Sequence, residues 1–231
     1  MKTDTKFAAA ISAGMIILGI FLFIWMLPFL YMYIGIIEQG KTNAKNTKWD
    51  KLAVKYSVFK GQKVHTIPSA ILTFSLTKDY DTVIEYSKEL EQIGEFQKSD
   101  AYFLTKAYIE KGDYDNALKY AKLGSNKLQE VQIYIKSKDF AKAKTLVNDM
   151  LSKTPVKPTV YLYKSEIEVS ENNLKDALCS VDKLLAINPS HMEALRLKAK
   201  ILKHSGKTNE YKQYQQKIRE REAAFRNRVK F

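Results

Sequence analysis

The chain has 231 residues, a net charge of +13, 45% hydrophobic residues and a single cysteine. Apolar content this high excludes a disordered chain, and a lone cysteine excludes an internal disulfide framework. The basicity is not a nucleic-acid signature: residues 41–68 hold seven Lys against one Asp and residues 207–231 eight Lys or Arg against three Glu, while the nearly balanced stretch between them carries no basic stripe and no binding motif.

Residues 1–6 form a short polar tail with Lys2 and Lys6. Residues 7–37 then read FAAAISAGMIILGIFLFIWMLPFLYMYIGII, without a charged side chain. About 20 apolar residues cross a bilayer core of ~30 Å, so a single transmembrane helix is expected here. At ~1.5 Å per residue the run is roughly 46 Å long, so it tilts, kinks or extends past the lipid. A cleaved signal peptide has a shorter apolar core and a small-residue cleavage site, whereas this run ends in bulky YMYIGII followed by EQGK. A hairpin of two spans would leave each half too short to cross. Pro28 lacks an N–H and clashes with the carbonyl four residues back, which predicts a kink near Leu27. Trp25, Tyr31 and Tyr33 lie towards one end, where interfacial rings belong. At the other end Ala10 and Gly14 make a small-xxx-small pair that admits a partner helix within the membrane.

Residues 38–63 are a basic juxtamembrane linker. Lys41, Lys45, Lys48, Lys51 and Lys55 follow the span closely and only Lys2 and Lys6 precede it, which by the positive-inside rule places the soluble part in the cytoplasm. The rival N-in signal-anchor arrangement places it outside, periplasmic or extracytoplasmic. Within the linker, Trp49, Leu52, Ala53, Tyr56 and Phe59 recur at helical spacing between lysines, giving a short basic amphipathic helix. Its apolar face either packs onto the first soluble helices or lies on anionic lipid, the lysines of Lys41–Lys63 contacting headgroups.

From residue 64 an internal repeat emerges. KDYDTVIEYSKEL, KGDYDNALKYAKL, SKDFAKAKTLVNDM and ENNLKDALCSVDKL align, with Tyr80, Tyr114, Phe140 and Leu174 three residues before Val83, Ala117, Ala143 and Ala177. Val83 to Ala117, Ala143 to Ala177, and Ala177 to Tyr211 are each 34 residues apart. Residues 64–218 thus resemble the tetratricopeptide-repeat (TPR) family, whose helical hairpins repeat at that period. One copy carries the family's small residue, turn glycine, aromatic and alanine at Thr105, Gly112, Tyr114 and Ala117; another carries Ser165, Asn172, Leu174, Ala177 and Pro189, and Pro155 closes the copy built on Ala143. Ser190 with Glu193 reads as a capping box. The pattern departs from the family between Ala117 and Ala143, which are only 26 residues apart; short helices and a turn at Gly124, Ser125 and Asn126 are expected there, an irregular joint in the array. Pro68 weakens the first copy, and the last lacks its alanine. Residues 219–231 continue the final helix as a basic extension, either a cap or a docking tail.

The fold class expected is therefore all-α: an N-terminal single transmembrane helix followed by a short TPR-like helical-hairpin solenoid of about four to five repeats, one irregular. The resemblance implies a concave groove lined by the first helix of each hairpin. Transferred copy by copy, its positions are Tyr102, Lys106 and Ile109; Gln132 and Lys136; Leu162, Glu166 and Val169; and Arg196, Lys200 and Lys203. The last three place cations one turn apart on one face, suited to an acidic or C-terminal carboxylate segment. The Lys–Asn carboxylate clamp of some family members is not evident.

No catalytic, cofactor or metal constellation is present in the sequence. His65, His191 and His204 are scattered, none pairs with Cys179 at ligand spacing, and phosphate-loop and nucleophile-elbow motifs are missing. Asp113 with Asp115 and Glu166 with Glu168 read as caps and surface charge. Cys179 reads as a small buried hydrophobe in the second helix of its hairpin. The function expected is a non-catalytic, membrane-anchored TPR adaptor or scaffold, mediating protein–protein interaction in assembly or organisation of a larger membrane complex. The alternative is an integral accessory subunit of a respiratory, secretion, pilus or flagellar machine. An enzyme of unrecognised type is a third reading. The partners expected are other proteins of that complex and the lipid bilayer, and no nucleic acid.

Overall fold

The computed structural model describes residues 2–42, 47–153 and 157–229, with side chains described from Met15 to Glu38 in the first stretch and to Ala224, and again at Arg226, in the last. Among these residues every regular element is an α-helix, as the repeat pattern requires. The Ala10 and Gly14 side chains and Pro155 lie outside the described residues. α1 (Lys2–Thr42) runs unbroken through Pro28, and α2 (Lys48–Lys55) follows. The other ten helices pair as hairpins: α3 (Lys60–Thr77) with α4 (Tyr80–Gln92), α5 (Ala101–Lys111) with α6 (Tyr114–Leu123), α7 (Lys127–Lys136) with α8 (Phe140–Leu151), α9 (Thr159–Ser170) with α10 (Leu174–Ile187), and α11 (Met192–His204) with α12 (Thr208–Val229).

One turn is used in all five hairpins. Within two residues of the end of each first helix the backbone turns left-handed, at Lys78 (φ 63°), Gly112 (77°), Lys138 (62°), Asn172 (58°) and Gly206 (71°). The next N–H donates five residues back, Asp79 to Phe74, Asp113 to Tyr108, Asp139 to Tyr134, Asn173 to Glu168 and Lys207 to Leu202, at 2.8–3.0 Å. These bonds satisfy carbonyls that a helix end otherwise leaves open. In four hairpins the same residue caps the second helix: Asp79, Asp113, Asp139 and Asn173 accept from the N–H groups of Thr82, Asn116, Lys142 and Asp176. Helix crossing within a hairpin uses small residues. Thr105 and Ser165 are fully buried, and Ser165 Oγ donates to the carbonyl of Ala177 at 2.8 Å.

The chain divides into two compact units, residues 1–125 and 126–231. The division falls in Gly124, Ser125 and Asn126, between α6 and α7, each only ten residues long. In the first unit Ile67, Ile71 and Phe74 of α3 pack with Val83 and Leu90 of α4 and Ala107 of α5. In the second, Val131, Ala143, Val147, Val160 and Ile167 tie α7, α8 and α9 together. A further cluster of Leu162, Val181, Leu184, Ala194 and Ile201 joins α9, α10 and α11. Fully burying each large apolar side chain contributes about 1.5–3 kcal/mol, which is what holds hairpins that share no covalent link beyond the backbone. α12 closes this unit: Ile218 is buried against Leu195 and Ala199, with Tyr211 and Tyr214 beside it.

α1 is not free of the first unit. Its second half packs on α2 and α3, with ring pairs Trp25–Phe59 (5.5 Å), Tyr31–Trp49 (5.9 Å), Tyr31–Tyr56 (5.5 Å) and Phe29–His65 (6.1 Å). The apolar face of α2 therefore packs, and it packs on α1 as well as on the hairpin that follows. Gly35 permits this approach, since a Cβ there would stand 3.1 Å from Trp49 Cβ.

Two local expectations are corrected. Cys179 is exposed rather than buried, because Ala177, Ser180, Val181 and Leu184 take the inner face of α10 and leave position 179 outside. The start of α11 is capped by His191, whose Nδ1 accepts from the Ala194 N–H at 3.3 Å, and not by Ser190.

Candidate functional site

The first helices of the second unit present a charged face. Lys136 on α7 and Glu193 and Lys200 on α11 lie close enough to act on Glu166 of α9. Burial, and secondarily the neighbouring Glu193 carboxylate, push the Glu166 carboxyl above its usual pKa, while Lys136 and Lys200 pull it back. Three positions taken from the repeat pattern, Lys136, Glu166 and Lys200, are thus brought together, and Glu193 joins them.

Beside this face, α11 and α12 enclose a cleft of about 470 Å³. Its cations are Arg196, Lys200 and Lys203 from α11 and Arg219 from α12, set against the single carboxylate of Glu222. Arg196 pairs with Glu222 at 2.7 Å. Lys200, Lys203 and Arg219 have no ion-pair partner among the described residues. Ala199 and Ile218, both buried, and the half-buried Tyr211 form the apolar floor. The hydrophobic spacing of α11 produces the arrangement: Leu195, Ala199 and Leu202 turn inward and leave 196, 200 and 203 outward. A second opening of about 680 Å³ continues past it, where Arg196, Arg221 and Arg226 stand around Met192 and Ala224. There Arg221 donates to Ser190 Oγ at 2.6 Å.

The other sequence-derived positions are distributed differently. Tyr102 is exposed and Lys106 half-buried on α5 of the first unit, Tyr102 meeting Phe103 edge to face at 5.3 Å. Ile109 (5% exposed) and Leu162 (3%) are buried rather than open to a groove, Leu162 packing with Val181 and Leu184 of α10 and Ala194 and Ile201 of α11. Gln132 and Val169 are half-buried, and Pro28 is buried on the docked side of α1. What the sequence reading missed is the contribution of α12. Arg219, Arg221, Glu222 and Arg226 belong to the basic extension, and the recurrence of Tyr211, Tyr214 and Ile218 at helical spacing was the signal that this helix folds back onto α11.

No family model matches the chain, and no curated protein matches it. Among solved structures it is similar to MamA, residues 41 to the end, from Desulfovibrio magneticus RS-1. The identity is 15% and the TM-score 0.52, over 70% of this chain and 96% of that one. A second similar structure is MamA MSR-1 C2, at 15% identity and a TM-score of 0.47, over 71% of this chain and 98% of that one. The first likeness shows a shared TPR-like fold of stacked helical hairpins.

Proposed function

We propose that this protein is a membrane-anchored, non-catalytic TPR-like adaptor that holds other proteins of a membrane complex, and that the α11–α12 cleft receives an acidic segment of a partner. The observation that carries this reading is the cleft itself: four cations against one carboxylate around the floor of Ala199, Tyr211 and Ile218. Lys203 and Arg219, which have no ion-pair partner among the described residues, attract a carboxylate-rich peptide, and the apolar floor supplies desolvated area on which affinity depends. Helical-hairpin arrays bind through extended surfaces of this kind. α1 serves as the anchor, its run from Met15 to Glu38 being long and apolar enough to cross a bilayer.

The test is crosslinking with mass spectrometry in native membranes, comparing the wild-type chain with Arg196→Glu/Lys200→Glu/Lys203→Glu. The wild type is expected to crosslink through Lys207 and Lys212, which the variant keeps, to acidic stretches of a small set of proteins, and the variant to lose those crosslinks while remaining in the membrane. Crosslinks that persist unchanged in the folded variant place the contact elsewhere and sink the cleft assignment. Recovery of a stable stoichiometric assembly on native gels marks a built-in accessory subunit instead of an adaptor.

A further inference from the structure

α1 is covered in two different ways along its length. From Met15 to Ile24 its side chains are exposed all round, Phe23 among them continuing the outer face of the next stretch, which for Met, Ile, Leu and Phe fits lipid. From Trp25 to Glu38 the helix has two faces. Trp25, Tyr31 and Gly35 lie under α2 and α3, whereas Phe23, Met26, Leu30, Tyr33 and Ile37 stand exposed on the opposite side.

The cover begins where Pro28 breaks the hydrogen-bond ladder of the otherwise continuous α1. Pro28 has no N–H, so the carbonyl of Ile24 lacks its partner within α1. Gln62, fully buried at the start of α3, donates through Nε2 to the carbonyl oxygens of Ile24 (3.2 Å) and Trp25 (2.8 Å). Its Oε1 accepts from the Phe59 N–H at 2.9 Å, so the same side chain caps α3. Phe59 in turn packs on Phe21 and Trp25, and its neighbour Val58 is 67% exposed. An apolar corner of the first unit is therefore held beside Phe21, level with the stretch exposed all round.

Resting on the reading that α1 crosses a bilayer, we infer that the first unit is seated on the membrane surface. α1 enters the lipid obliquely, its Phe23–Met26–Leu30–Tyr33–Ile37 face lying in the acyl-chain boundary and Val58 dipping beside it, with α2 and α3 on the aqueous side. The excess length of the apolar run is then used, since a tilted helix with one half-covered end takes up more apolar residues than an upright span. Bilayer lipid fits this face better than a second helix. Close helix contact within membranes relies on small residues; this face is all bulky, and the small residue of this half, Gly35, is already occupied by Trp49.

The experiment uses the full chain with Cys179→Ser, carrying one NBD-labelled cysteine at a time at Leu18, Tyr33, Val58 or Lys122. The protein is reconstituted into phosphatidylcholine vesicles containing a minority of phosphatidylglycerol, with or without acyl-chain-brominated phosphatidylcholine. Labels at 18, 33 and 58 are expected to emit blue-shifted and lose roughly half of their intensity or more to bromine, while the label at 122 stays aqueous. Aqueous emission at 33 and 58 with quenching at 18 means an upright span carrying the unit on a stalk, which overturns the inference and leaves the membrane anchor intact. Aqueous emission at 18 as well removes the anchor itself. Near-complete disulfide crosslinking of position 33 between chains in dilute vesicles shows a second copy covering the face and also overturns the inference.

Discussion

At the scale of single residues, Gln62 answers a problem that Pro28 creates thirty-odd positions away. Removing its donor in Gln62→Leu is expected to cost about 1–3 kcal/mol, the penalty for a buried polar group left without a partner. In a Pro28→Ala background residue 28 supplies its own N–H to Ile24, so the same change should cost less; thermal unfolding in detergent compares the two. Equal penalties in both backgrounds would show that Gln62 does not act on the break. Two carboxyls follow the same logic with opposite sign. Glu166 and Asp50 both have pKa values raised by burial, and Asp50 Oδ2 has no partner among the described residues. A carboxyl whose folded pKa is raised favours folding when protonated, so its contribution falls as pH rises from its unfolded value through its folded one. Glu166→Gln and Asp50→Asn should therefore stabilise the protein at neutral pH, with the gain shrinking as pH falls towards ~4, read by chemical denaturation at both pH values. A loss of stability at neutral pH would mean that Lys136 and Lys200 outweigh burial at Glu166.

At the scale of elements, the hairpin turn is the device repeated most faithfully. Lys78, Lys138 and Asn172 hold left-handed backbone without being glycine, a strain of about 1 kcal/mol for a residue with a Cβ. Lys138→Gly is expected to raise stability by roughly that amount, because the site forces the conformation in either case. Asp139→Ala, one residue on, should lower it by about 1 kcal/mol through loss of the N-cap. Differential scanning calorimetry of the two variants separates them, and a destabilised Lys138→Gly would show that its side chain contributes more than its backbone costs. The 34-residue recurrence made the hairpins legible, because small and large residues must alternate wherever two helices cross. Lys78 and Lys138 were not legible as turn residues, since lysine has no preference for left-handed backbone and is held there by the bond from the following N–H. Ile109 and Leu162 were misplaced for a related reason: transfer of groove positions assumes a fixed rotation of each helix, and the rotation is set by how its own apolar residues pack.

At the scale of the whole molecule, the long apolar helix and the array behind it meet through contacts that each is too small to reveal. Replacing Phe7–Phe23 by polyleucine should leave the first unit folded, whereas extending the replacement to Ile37 should detach α2 and α3, because it removes Trp25, Tyr31 and Gly35 together. Limited proteolysis between residues 38 and 60 reads the difference, and equal resistance of both chimeras would reduce α1 to a generic span. The sequence alone determined the helical class, the hairpin period and the long apolar first helix, because periodicity and length follow from helix geometry without reference to neighbours. Only the tertiary structure decided which cations share a cleft, that α12 supplies one of the four cations and the facing carboxylate, and that Gln62 bonds the carbonyls beside Pro28. Each of these joins side chains distant along the chain, and no local pattern encodes which of many possible contacts packing will select.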